Sequence, residues 1–127
     1  AAGYYAISAM AETQAPIKAG KAGDRLTAGL KEIIKRRDLP FVAFNHGSIC
    51  HLETAAAMLM DINNPKIFTE APERKHLMEE MGAAFTAEGI ITLAGSRLYT
   101  SMADTDEIID NALDRFDRVL GSVEKRI

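Results

Sequence analysis

Three side chains able to bind a metal or attack a carbonyl fall close together: His46, Cys50 and His51. Zinc takes four ligands of this kind in a tetrahedral array, or three with a water in the fourth place. A thiol beside an imidazole is also the make-up of a cysteine nucleophile. Neighbouring residues on a strand point to opposite faces, so in an extended segment Cys50 and His51 do not face one ion. The plainer reading is a Cys50 packed as a small apolar side chain and a partly exposed His51. A second cluster is acidic. Asp104, Asp106, Glu107 and Asp110 crowd what reads as a helix start, where negative charge complements the helix dipole and capping alone accounts for the composition. Arg97 stands apart. It follows the Gly95-Ser96 turn and precedes Leu98-Tyr99, a strand entrance from which its planar fork can grip a carboxylate through two hydrogen bonds. The alternative is a solvated arginine at a loop edge. No glycine-rich loop leads into a helix as a phosphate cradle requires.

The elements that must position these groups follow from periodicity. Residues 2–13 repeat apolar side chains at helical spacing (Tyr4, Ile7, Ala11). Thr13-Gln14-Ala15-Pro16 is a break, with Pro16 suited to the first turn of a second helix. That helix runs to about Arg37 on a stripe of Ala19, Ala22, Leu26, Leu30, Ile33 and Ile34, and Asp38-Leu39-Pro40 stops it. Lys31, Lys35, Arg36 and Arg37 close it as a solvated basic end rather than a nucleic-acid patch. The period then changes, and residues 41–44 and 48–52 read as strands. Asn45-His46-Gly47 between them has turn composition, which fits a hairpin or a single bulged strand.

Residues 54–60 are helix-prone and 61–65 read as a loop. Pro72 is expected to open a third helix, with Leu77, Met81, Ala84 and Phe85 on one face and Gly89 as its C-cap. Residues 90–93 and 98–102 are expected as strands around an Ala94-Gly95-Ser96 turn. Asp104, with Glu107 three residues on, is expected to cap a long last helix. Its apolar face is Ile108, Ile109, Ala112, Leu113, Phe116, Val119, Leu120 and Val123. The order predicts an α+β fold, a small antiparallel sheet covered by helices with a long C-terminal helix, in one domain spanning 1–127.

Composition narrows the function. The 127 residues carry a net charge of -3, with 47% hydrophobic and 26% charged residues, an ordinary balance for a folded domain and a poor one for nucleic-acid binding. No apolar run reaches the length needed to cross a membrane, so neither membrane nor nucleic acid is expected as a partner. One cysteine leaves no internal disulfide, and a reducing, cytoplasmic setting is expected. The start at Ala1-Ala2-Gly3-Tyr4-Tyr5, directly in an apolar helical run, reads as a truncation.

Nearly the whole chain resembles the small C-terminal domain of class III aminotransferases, nearest the glutamate-1-semialdehyde aminomutase branch. The opening Ala1–Ala11 looks like the helix that follows the cofactor-lysine region there. Gly23-Asp24-Arg25-Leu26-Thr27-Ala28-Gly29-Leu30 resembles that family's Gly-(Glu/Asp)-Arg-Leu-x-x-Gly-Leu helix. Gly47-Ser48-Ile49-Cys50-His51-Leu52 is similar to the strand that follows, and Ala103-Asp104-Thr105-Asp106-Glu107-Ile108-Ile109-Asp110 to the opening of the last helix.

The resemblance implies the C-terminal domain of a fold-type I pyridoxal-phosphate enzyme. It implies a homodimeric parent that performs transamination or 2,1-aminomutation of an amino acid, keto acid or semialdehyde, to which this domain contributes one wall of the active site. In many such enzymes an arginine eight residues before the motif threonine holds the substrate carboxylate, and Arg97 stands eight residues before Thr105. Where two prolines are common in the family, this chain has Thr100 and Ser101. The Schiff-base lysine of the family lies upstream, so no catalytic residue and no bound cofactor are expected in this piece. The competing expectation is a stand-alone α+β binding or regulatory module without catalytic activity.

Overall fold

The computed structural model describes residues 1–54 and 63–123. Helix α1 spans Ala2–Thr13 and α2 spans Ala15–Arg37. Strands β1 (Val42–His46) and β2 (Ile49–Glu53) precede α3 (Ile67–Ala87), β3 (Arg97–Tyr99) and α4 (Asp106–Gly121). The strands form one antiparallel sheet in the order β1-β2-β3. The fold is α+β.

Helix α2 lies across one face of the sheet because its apolar stripe is continuous. Ala19, Ala22, Leu26, Leu30, Ile33 and Ile34 are all buried, as expected. Burial of each large aliphatic side chain in that stripe is worth about 1.5–3 kcal/mol. On the sheet, Ala43, Cys50, Leu52 and Leu98 are buried, and alternation sends the residues between them to the opposite face. Of the two expectations for residues 41–52 the hairpin is correct: His46 pairs with Ile49, and Gly47, at φ +57°, supplies the left-handed turn. The break before α2 is narrower than expected, since Gln14 alone leaves the helical conformation, at φ 54°.

Helix α2 ends with Asp38 left-handed: its N–H donates to the Lys35 carbonyl and that of Leu39 to the Ile34 carbonyl. Helix α3 ends the same way at Gly89, where the Gly89 and Ile90 N–H groups donate to the Thr86 and Phe85 carbonyls. Helix α4 packs along α2 and meets α3 through Phe116, whose ring stands edge-on to Phe85 at 5.0 Å.

Five expectations need correction. Pro72 does not open α3; it sits inside a helix that starts at Ile67. Asn64 closes the turn just before that helix by accepting the Lys66 N–H on its side chain, at 3.0 Å. The helix loses the bond that Pro72 cannot donate to Phe68. Residues 90–92 are not a strand: Ile90 is drawn into the core as the residue after the α3 cap, while Ile91 is 87% exposed. Only Leu93 bridges, to Arg97 across the Ala94-Gly95-Ser96 turn. The strand expected over 98–102 is β3, which stops at Tyr99.

The cap of α4 is Thr105, whose hydroxyl accepts from the Ile108 N–H at 3.4 Å, and not Asp104. Asp104 instead accepts the Ser101 N–H at 2.6 Å and closes the preceding turn. The last helix is also not long: at 16 residues α4 is shorter than α2 at 23 and α3 at 21, and Ser122 terminates it. Its apolar face holds at Ile109, Phe116, Val119 and Leu120, but Ile108 is half exposed. The helix expected over 54–60 lies outside the described residues, apart from Thr54, which follows β2.

Helix α1 buries none of its side chains. Tyr4, Tyr5 and Ile7 are each at least 70% exposed, an apolar surface unusual for an element with solvent on every side.

Candidate functional site

The segment Gly23-Asp24-Arg25-Leu26 joins α2 to everything around it, one residue at a time. Gly23 has no side chain because the hairpin turn crosses there: a Cβ would lie 2.3 Å from the Gly47 carbonyl oxygen. Asp24 accepts from the Asn45 side-chain amide at 2.8 Å, and the same amide donates to the Gly47 carbonyl at 3.0 Å. Arg25 donates two hydrogen bonds to Asp110 of α4, at 2.9 and 2.8 Å, and Leu26 is core. At the far end of α2, Arg36 and Arg37 converge on Asp117, each at 2.7 Å. The basic cluster is thus more than a solvated helix end, because two of its members clamp α4.

These pairs account for the acidic cluster as well. Asp110 belongs to an interhelical ion pair, with Asp106 a further 3.6 Å contact of Arg25. The hydrogen bonds from Arg25 hold the Asp110 carboxyl below the usual carboxylate range, and those from Arg37 and then Arg36 do so for Asp117. A depressed carboxylate stabilises the fold above its unfolded pKa of about 4 and loses that contribution as pH falls through the folded value. Because both pairs are partly exposed and screened, the melting temperature is expected to fall only modestly as pH drops below about 4, and less in Asp110→Asn and Asp117→Asn. Parallel acid limbs in melts followed by circular dichroism would show that these pairs carry no linkage.

His46, Cys50 and His51 do not converge. Cys50 is fully buried under α2, its thiol directed at the Gly23 carbonyl at 3.7 Å, and burial pushes the thiol pKa up. The thiolate needed for nucleophilic or metal chemistry is thereby disfavoured. His46 is exposed beside the hairpin turn. His51 is on the other face, its ring stacked on Phe44 at 5.0 Å and its Nε2 3.7 Å from a Glu53 carboxylate oxygen. Among the described residues no group of three or more His, Cys, Asp or Glu could hold a metal ion.

Arg97 also lies on that second face. It is the register partner of His51, which is the partner of Phe44, so one cross-strand row reads Phe44–His51–Arg97. Beside it runs His46–Ile49–Tyr99. Arg25, Arg36, Arg37, Arg74 and Arg118 pair with carboxylates, and Arg115 donates to the Asn111 side chain and to the Glu88 carbonyl at 2.7 Å. Among the described arginines, Arg97 alone has neither a carboxylate partner nor a side-chain hydrogen bond. Compared with known proteins, the chain matches no protein-family model and no curated protein.

Sequence reasoning placed Arg97 at a strand entrance but missed its neighbours, since only the register puts Phe44 and His51 beside it. The role of Thr100 was also missed. Its N–H donates to the Ser48 carbonyl at 3.0 Å and its hydroxyl to the Ala19 carbonyl at 2.7 Å, tying the end of β3 to the hairpin and to α2. A proline has neither donor.

The described lysines, Lys18, Lys21, Lys31, Lys35, Lys66 and Lys75, are all exposed. None is desolvated as a Schiff-base amine requires, so these residues do not fit covalent attachment of pyridoxal phosphate. A groove of about 900 Å³ lies between α3 and α4, floored by Phe41, Leu77, Met81 and Val119 and edged by Glu88 and Arg118. No described helix is long and apolar enough to cross a membrane.

Proposed function

We propose that this chain is the small C-terminal domain of a class III, pyridoxal-phosphate-dependent aminotransferase that performs transamination or 2,1-aminomutation. In this reading it forms one wall of the active site and presents Arg97 to a substrate carboxylate. The observation that carries it is the unpartnered Arg97 on a sheet face away from α2, when each other described arginine is engaged. A guanidinium with no partner of its own is available to a carboxylate in the bidentate geometry arginine favours. The exposed apolar surface of α1 supports the reading too, because it is surface suited to burial against further polypeptide. The cofactor supplies the electron-sink chemistry, and its lysine belongs to polypeptide outside this chain. The parent is proposed to be a cytoplasmic homodimer.

In the parent enzyme, Arg97→Ala is expected to raise KM for carboxylate substrates about 10- to 100-fold, the loss of a charged hydrogen bond worth about 1.5–3 kcal/mol. An unchanged KM in steady-state kinetics removes Arg97 from the site. The α3–α4 groove favours a second reading, a self-contained binding module. The coding sequence immediately upstream of Ala1 separates the two: a cofactor-lysine segment supports the enzyme, and a start codon supports the module.

A further inference from the structure

The surroundings of Arg97 say more about a ligand than that it is an anion. Directly opposed side chains on one sheet face stand about 4.5–5.5 Å apart at Cβ, and diagonal ones remain within reach of aromatic and long side chains. The rows Phe44–His51–Arg97 and His46–Ile49–Tyr99 therefore make a small patch with His51 and Ile49 on its middle strand. Phe44 is 43%, Ile49 51% and Tyr99 58% exposed. The Phe44 and His51 rings are already stacked, 26° from parallel, and Tyr99 flanks the far side of Ile49. Glu53, on the same face two residues along β2 from His51, is buried with a carboxylate oxygen 3.7 Å from the His51 ring nitrogen.

We infer that this patch binds a monocyclic aryl carboxylate, its ring laid over Ile49 between the Phe44–His51 stack and Tyr99 and its carboxylate held by Arg97. Charge complementarity fixes the anionic end, because the one unengaged guanidinium among the described residues borders the patch. Chemistry fixes the other end. A flat ring gains from offset or edge contact with Phe44 and Tyr99 in a way that a saturated ring of similar size does not. The inference rests on the reading of Arg97 as the carboxylate-binding residue and names the substrate class that reading leaves open.

The test is an NMR titration of the 127-residue chain with benzoate, cyclohexanecarboxylate and benzyl alcohol, repeated with Phe44→Leu and Arg97→Gln. Benzoate is expected to shift the amides of Phe44, Ile49, His51 and Arg97 and to bind several-fold more tightly than cyclohexanecarboxylate. Arg97→Gln abolishes binding of both acids. Phe44→Leu weakens benzoate roughly 2- to 12-fold, in line with a lost aromatic contact, and leaves cyclohexanecarboxylate unchanged. Equal binding of the two acids, still lost in Arg97→Gln, overturns the aryl class while Arg97 keeps its carboxylate. Benzyl alcohol binding as well as benzoate, or neither acid shifting this row, overturns both.

Discussion

Gly23→Ala is expected to destabilise the protein by about 2 kcal/mol, although alanine is the better helix former. In a helix interior that exchange ordinarily gains about 1 kcal/mol. Here the added methyl would meet the Gly47 carbonyl oxygen at 2.3 Å and the Cys50 sulfur and Thr100 hydroxyl each at 3.2 Å. The first of these is backbone and cannot rotate away. It belongs to a turn held by Asn45 and, through it, by Asp24. Relief requires the hairpin to lift from α2, and overpacking of this kind costs about 1–3 kcal/mol, occasionally more. Gly20, one turn earlier, is the control. A Cβ there would find Gly47 Cα at 3.6 Å, an ordinary contact, so Gly20→Ala is expected to stabilise by up to about 1 kcal/mol. Urea unfolding of the pair decides it: midpoints that move in the same direction would mean the helix and hairpin do not cross at Gly23.

Phe116→Ala is expected to cost more, about 3–5 kcal/mol. The ring is 1% exposed and meets the fully buried Phe85 edge-on, so truncation loses transfer free energy, leaves a cavity, and removes an aromatic pair worth about 0.5–1.5 kcal/mol. Against a total stability of about 5–15 kcal/mol that is a large share. Ile108→Ala on the same helix removes a side chain that is 49% exposed and is expected to change stability by less than about 1 kcal/mol. Similar losses for the two variants in thermal melts would place α4 in another rotation about its axis.

The pH dependence and Arg97→Ala probe different things from these core changes. The first reads the ion pairs that fasten α4 to the middle and the C-terminal end of α2. The second reads a side chain that fastens nothing, and the contrast is informative. Arginines engaged within the fold sit on helices α2, α3 and α4, whereas Arg97 sits on a strand whose outward side chains face away from the helical layer. A structural role explains the first group completely and leaves Arg97 unexplained.

Periodicity alone determined α1 and α2, because each presents an apolar repeat at helical spacing. It located the hairpin but not its turn, since Asn45 and His46, expected in the turn, extend β1 through register with Cys50 and Ile49. It also determined that Cys50 and His51 part company, since alternation on a strand is local geometry. The cap of α4 was decided by which side chain accepts which backbone N–H, Thr105 taking that of Ile108 and Asp104 that of Ser101, a choice composition does not make. The strand expected at Ile90 was lost to a competing demand, the burial of Ile90 behind the α3 cap. The row Phe44–His51–Arg97 and the crossing at Gly23 exist only through strand register and helix packing. Those bring together residues far apart in the chain, and no local pattern encodes such distances.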